Sequence, residues 1–138
     1  MGDVLNAYRV LCGAVGTLLI AAGLALFASF FAYHMPDSNP RLPTGPTGHY
    51  FAAFAGSASL GWGGALWASA RQPLGARGVG TATALALVFS AFYRMMAWIT
   101  GDYYAWPGEL LRVEAALFLL LALAFVWLRP PSAATSGD

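Results

Sequence analysis

The chain has 138 residues, room for one domain, with 59% of them apolar and only 9% charged, where a soluble domain carries roughly a quarter charged residues. Seven arginines, no lysine and six acids cannot coat a water-soluble protein of this size, so the expected solvent is lipid. A net charge of +1 with no basic stripe gives no electrostatic case for nucleic acid.

The first apolar run, from about Val10 to Tyr33, carries no charge. At ~1.5 Å per residue it can cross a ~30 Å hydrocarbon core. Arg9 precedes it, as in a signal peptide, but signal cores are only about 7–15 residues long. This run is longer and ends in Phe30, Phe31 and Tyr33, so it is expected to stay as a span. Cys12 lies inside it; a single cysteine forms no intrachain disulfide and is read as a packing residue.

A proline-rich loop is expected from His34 to Gly48, because Pro36, Pro40, Pro43 and Pro46 each remove a donor and restrict the preceding residue. The second span, about 50–70, is rich in Gly, Ala and Ser and uncharged. Arg71-Gln72-Pro73-Leu74-Gly75 turns the chain into a third span, about 78–99, apolar except for Arg94. Thr100-Gly101-Asp102 closes that span, and Pro107-Gly108 opens the fourth, about 109–128. Arg129-Pro130-Pro131 ends it, and residues 130–138 read as a disordered tail. The expected fold is thus all-α, a polytopic membrane four-helix bundle over residues 1–129.

If the spans alternate, Arg9, Arg71, Arg77 and Arg129 fall on one side, and Arg41, Asp37, Asp102 and Glu109 on the other. The positive excess marks the cytoplasmic side, which places both termini inside. Trp67 and Trp127 would then lie at the inner interface, with Trp98 and Trp106 at the outer one.

Small residues repeat every fourth position in the first three spans: Gly13, Thr17, Ala21, Ala25 and Ser29; then Ala53, Ser57, Gly61, Ala65 and Ser69, beside Gly56 and Gly64; then Ala82, Ala86 and Ser90. Close approach through small faces is how membrane helices associate, since lipid gives little hydrophobic drive between them. Arg94 continues the third row, which turns it toward the bundle.

Arg94 and Glu114 are the charges set well within the spans, and each costs roughly 2.5–3.5 kcal/mol at mid-bilayer if left alone. By helical rise they lie roughly 8 and 9 Å below the outer surface, so an ion pair between them is expected. Ser57, Ser90 and Tyr93 reach the same layer and complete the candidate polar site. Glu109 and Arg112, three residues apart, can pair within the fourth span. Two readings stand side by side: a staple that holds helix register, or an outward-opening pocket for a lipid or quinone headgroup. His34 and His49 flank the first loop without a third ligand, so no metal or haem site is expected. Gly61-Trp62-Gly63-Gly64 lacks the following Lys-Ser/Thr of a phosphate loop.

The Gly-rich second span (Phe54-Ala55-Gly56 through Gly64), the arginine of Phe92-Tyr93-Arg94 and the acid of Arg112-Val113-Glu114 have a counterpart elsewhere. Over Tyr50–Arg129 the chain resembles the small, uncharacterised bacterial four-helix membrane proteins grouped around DoxX. That resemblance implies a bacterial cytoplasmic (inner) membrane location and, through the DoxX name, a quinone-facing or partner role in a redox system. The proline-rich first loop departs from the compact pattern of the group. Small multidrug transporters are similar in size and helix number, but their essential glutamate lies in the first helix, which here has no acid. The reading is a small, non-enzymatic bundle or subunit, with the bilayer, a membrane protein or a second copy as partner. No cofactor is expected beyond a quinone or lipid in the alternative reading.

Overall fold

The structure, a computed structural model, describes residues 2–33, 45–100 and 108–130, and every described regular element is helical. The helices are α1 (Gly2–Tyr33), α2 (Gly45–Arg71), α3 (Arg77–Thr100) and α4 (Gly108–Trp127), with a 3₁₀ turn at Pro73–Gly75. His34, Asp37, Arg41, Asp102 and Trp106 lie outside the described residues, as do the side chains of His49 and Glu109 and the tail beyond Pro130.

Two boundaries differ from the sequence reading. α1 begins at Gly2, two turns before the apolar run. Asp3 in its first turn complements the helix dipole, and the added turns carry Tyr8, which is fully buried. α2 begins at Gly45 and so takes in Pro46 and Gly48, which the sequence places in the loop, and His49, which it places just before the second span. Pro46 fits because a first-turn amide has no intrahelical acceptor, so its loss costs little there.

Gly2–Ser29, Arg77–Ile99 and Leu110–Trp127 are long and apolar enough to cross a bilayer. With 27 residues α2 is long enough too, but its six glycines, three serines and one threonine dilute its apolarity.

The chain divides into two compact units. Within Cys12–Arg71, α1 and α2 pack through glycines. A Cβ on Gly23 would lie 2.7 Å from the Gly56 carbonyl oxygen, and one on Gly56 would lie 2.7 Å from that of Gly23. Gly16 and Gly63 meet in the same reciprocal way, at 2.9 and 2.7 Å. As the number rises on α1 it falls on α2, so the pair is antiparallel. Leu60 lies against Gly23 and Ile20 against Gly63, so each branched side chain sits where the facing helix has no side chain. Trp67 Nε1 donates to Thr17 Oγ1 at 3.0 Å. The contact therefore uses Gly16, Ile20, Gly23 and Gly56, Leu60, Gly63. Of the small residues expected on the packing faces, Gly56 lies in this contact, Thr17 takes the Trp67 bond and Ser69 is buried, whereas Ala21, Ala25, Ser57, Gly61 and Ala65 are exposed.

The second unit joins Met1–Leu11 to Gln72–Asp138, of which residues 2–11, 72–100 and 108–130 are described. Its core includes Tyr8, Ala84, Ala91, Ala115, Ala122 and Phe125. Tyr8 donates from its hydroxyl to the Ala76 carbonyl at 3.2 Å and sets its ring edge-on to Phe125, 6.3 Å between centroids. Its hydroxyl lies directly against Gly80, at a spot any side chain would fill. α3 and α4 pack along their length around the small residues Ala84, Ala91, Ala115 and Ala122.

Candidate functional site

Each of the two charges set in apolar helix has the other as its partner. Arg94 lies six residues before the end of α3 and Glu114 six residues after the start of α4. Because these positions are level in an antiparallel pair, the side chains meet: Arg94 Nε donates to Glu114 Oε2 at 2.6 Å. The short distance is that of a charge-assisted hydrogen bond. Phe118, one turn beyond Glu114 on α4, lies under the guanidinium, with Cζ 4.5 Å from the ring centroid. Cation and carboxylate are thus joined by one hydrogen bond, and an aromatic face covers part of the rest.

No family model, curated protein or solved structure matches the chain.

The chemistry of the pair follows from what the contact leaves over. A guanidinium carries five N–H donors, and among the described residues Nε is the one engaged. Among the described residues, no acceptor takes a hydrogen bond from the Arg94 terminal nitrogens, and no donor reaches the second Glu114 oxygen. The side chains are 29% and 36% exposed, so the pair is partly enclosed and partly open. Such a site presents a fork of donors next to an acceptor, a pattern suited to a phosphate or a quinone carbonyl.

The other three candidates are described each on its own helix. Ser90, one turn before Arg94 on α3, is half-buried and makes no hydrogen bond to a described residue. Tyr93 precedes Arg94 by one residue, which rotates it about 100° around the helix, and it is 70% exposed. Ser57 belongs to the other unit and gives its hydroxyl to the Ala53 carbonyl of its own helix at 3.0 Å. Arg112 has its Cζ 5.6 Å from the Trp98 ring centroid, a contact between α4 and α3; its expected partner Glu109 has a side chain outside the described residues.

Phe118 and Tyr8 were missed by the sequence reading. Phe118 had a usable signal, since it follows Glu114 by four residues and shares its face. Tyr8 had none, because it precedes the apolar run and meets its partners more than sixty residues away. Among the described residues no three His, Cys, Asp or Glu side chains gather as a metal site.

Proposed function

We propose that the chain is a small, non-enzymatic protein of a bacterial cytoplasmic membrane, a DoxX-like four-span bundle or subunit with both termini inside. In this reading the Arg94–Glu114 pair is the staple that holds α3 and α4 in one register. The observation that carries it is the 2.6 Å contact between the two charges lying within apolar helix. A pair joined in this way neutralises both charges locally and is satisfied at one sliding position of the helices only.

Antiparallel packing supports a fourth crossing by α2. Gly16 meets Gly63 and Gly23 meets Gly56, so α2 runs beside the apolar length of α1 over two turns. A helix held against a spanning helix through glycines is not exposed to lipid on that side, and it tolerates a lower apolarity.

A second reading is favoured by the unfilled donors of Arg94: the pair holds the polar end of a lipid or quinone, as a component of a redox system would. Native mass spectrometry of the protein from mild detergent separates the two. The staple reading expects no small molecule whose retention depends on Arg94 and Glu114. A quinone or lipid that is retained by the wild type and lost from a stably folded Arg94→Leu/Glu114→Leu variant would establish the second reading instead.

A further inference from the structure

The side of the α3·α4 seam lined by Leu85, Val88 and Leu119 carries a groove of about 440 Å³. Its floor is Ala84 and Ala122, both buried, and its walls are the larger Thr81, Leu85 and Val88 of α3 and Leu119, Leu123 and Val126 of α4. Two small residues facing each other between branched ones leave a furrow that neither helix fills. Its lining is almost wholly apolar, since the Thr81 hydroxyl donates back to the Arg77 carbonyl at 2.9 Å. Because the helices are antiparallel, Thr81 and Val126 bound the end of the groove farther from Arg94.

At that end the chemistry changes. Arg77 lies one turn before Thr81, on the same face of α3. Arg129 follows Val126 by three residues, and Trp127 follows Leu123 by four. Among the described residues neither arginine has an acidic partner. Trp127 is 87% exposed, and its amphipathic ring suits the level of lipid headgroups. An apolar groove on a membrane helix pair meets acyl chains; cations near its mouth are what would select one lipid over another.

We infer that this groove is a binding site for an acidic phospholipid, one acyl chain lying between α3 and α4 and the phosphate held by Arg77 and Arg129. The site is distinct from the Arg94–Glu114 pair, and it requires only that α3 and α4 cross a bilayer. It selects by headgroup charge at its mouth and by shape along its length. The Arg94 fork lies farther along the helices and plays no part in it.

The test uses the full chain in mild detergent, titrated with phosphatidylglycerol or phosphatidylcholine of identical acyl chains and read by native mass spectrometry. The wild type is expected to retain phosphatidylglycerol roughly tenfold more strongly. Arg77→Gln/Arg129→Gln should abolish that preference, whereas Arg9→Gln/Arg71→Gln, which removes the same charge elsewhere, should leave it. Ala84→Leu/Ala122→Leu fills the groove from its floor and should lower retention of both lipids while the arginines stay in place. Leu85→Trp, at the rim, serves the same purpose should the floor variant fail to fold. Equal retention of the two lipids by the wild type would overturn the inference. So would an equal loss of preference in the Arg9/Arg71 variant, which would mean diffuse attraction, or displacement of the lipid by inorganic phosphate without effect of the groove variants. A lipid-free dimer broken by groove filling would assign the groove to a second copy instead.

Discussion

Arg94 and Glu114 were legible as a pair because charge is rare in these helices and depth can be counted from the helix ends. The structure adds that they meet through one nitrogen and one oxygen, with Phe118 beneath the guanidinium. Removing one partner would leave the other uncompensated in apolar surroundings. Arg94→Leu and Glu114→Leu are therefore each expected to destabilise by about 3 kcal/mol, since both groups are partly exposed and fall at the low end for buried pairs. The double variant should recover much of that loss, because two apolar groups leave no orphan charge. Thermal unfolding in detergent measures all three; neutral single variants, or a double variant that is simply additive, would mean the pair holds nothing. For two other expected members the structure adds local detail. Tyr93 is Arg94's neighbour in sequence, but one helical step turns it outward. Ser57 has the right chemistry, yet its hydroxyl is taken by Ala53 of its own helix.

At the scale of elements, the existence and order of the four helices could be read from apolar runs and prolines, but their contact faces only in part, through Gly56 and Thr17. In a helix made of Gly, Ala and Ser almost every side offers a row of small residues. The side that packs is chosen by fit with the partner: Leu60 needs the space above Gly23, and Ile20 the space above Gly63. That information lies in two helices jointly, so a reading of one helix misses it. Glycine substitutions separate the faces. Gly56→Ala and Gly63→Ala would drive a Cβ to 2.7 Å from a backbone carbonyl oxygen and should destabilise by about 1–3 kcal/mol. Gly61→Ala and Gly64→Ala meet nothing within 4 Å and should stabilise by up to about 1 kcal/mol through helix propensity. The reverse order of melting temperatures would place the contact on the other face. In the second unit, Gly80→Ala should expel the Tyr8 hydroxyl from its seat. Tyr8→Phe alone should cost about 1 kcal/mol for the lost bond to Ala76. In the Tyr8→Phe background, however, Gly80→Ala should become less damaging, because the nearest colliding atom is gone and only ring carbons at 3.1 and 3.2 Å remain. Additive losses in this cycle would rule out the clamp.

For the whole molecule, the number of crossings decides where the termini lie. Composition marks α1, α3 and α4 as able to span, and leaves α2 short. With three crossings the termini would face opposite sides, and Arg9 would be separated from Arg71, Arg77 and Arg129. With four, all of those arginines fall together, as the positive-inside rule prefers. The glycine contacts between α1 and α2 favour four as well, since they lay α2 along α1 rather than across it. With four crossings, a C-terminal alkaline phosphatase fusion is expected to be inactive and a green fluorescent fusion bright, because the C-terminus would then face the cytoplasm. The N-terminus should give the same result with a fluorescent reporter, and single cysteines at Ser38 or Thr44, in a Cys12→Ala background, should react with an impermeant maleimide on whole cells. An active C-terminal phosphatase beside a cytoplasmic N-terminus would establish three crossings and remove α2 from the membrane. Protection of both cysteines with the termini inside would keep the four crossings and fold the first loop back against the helices.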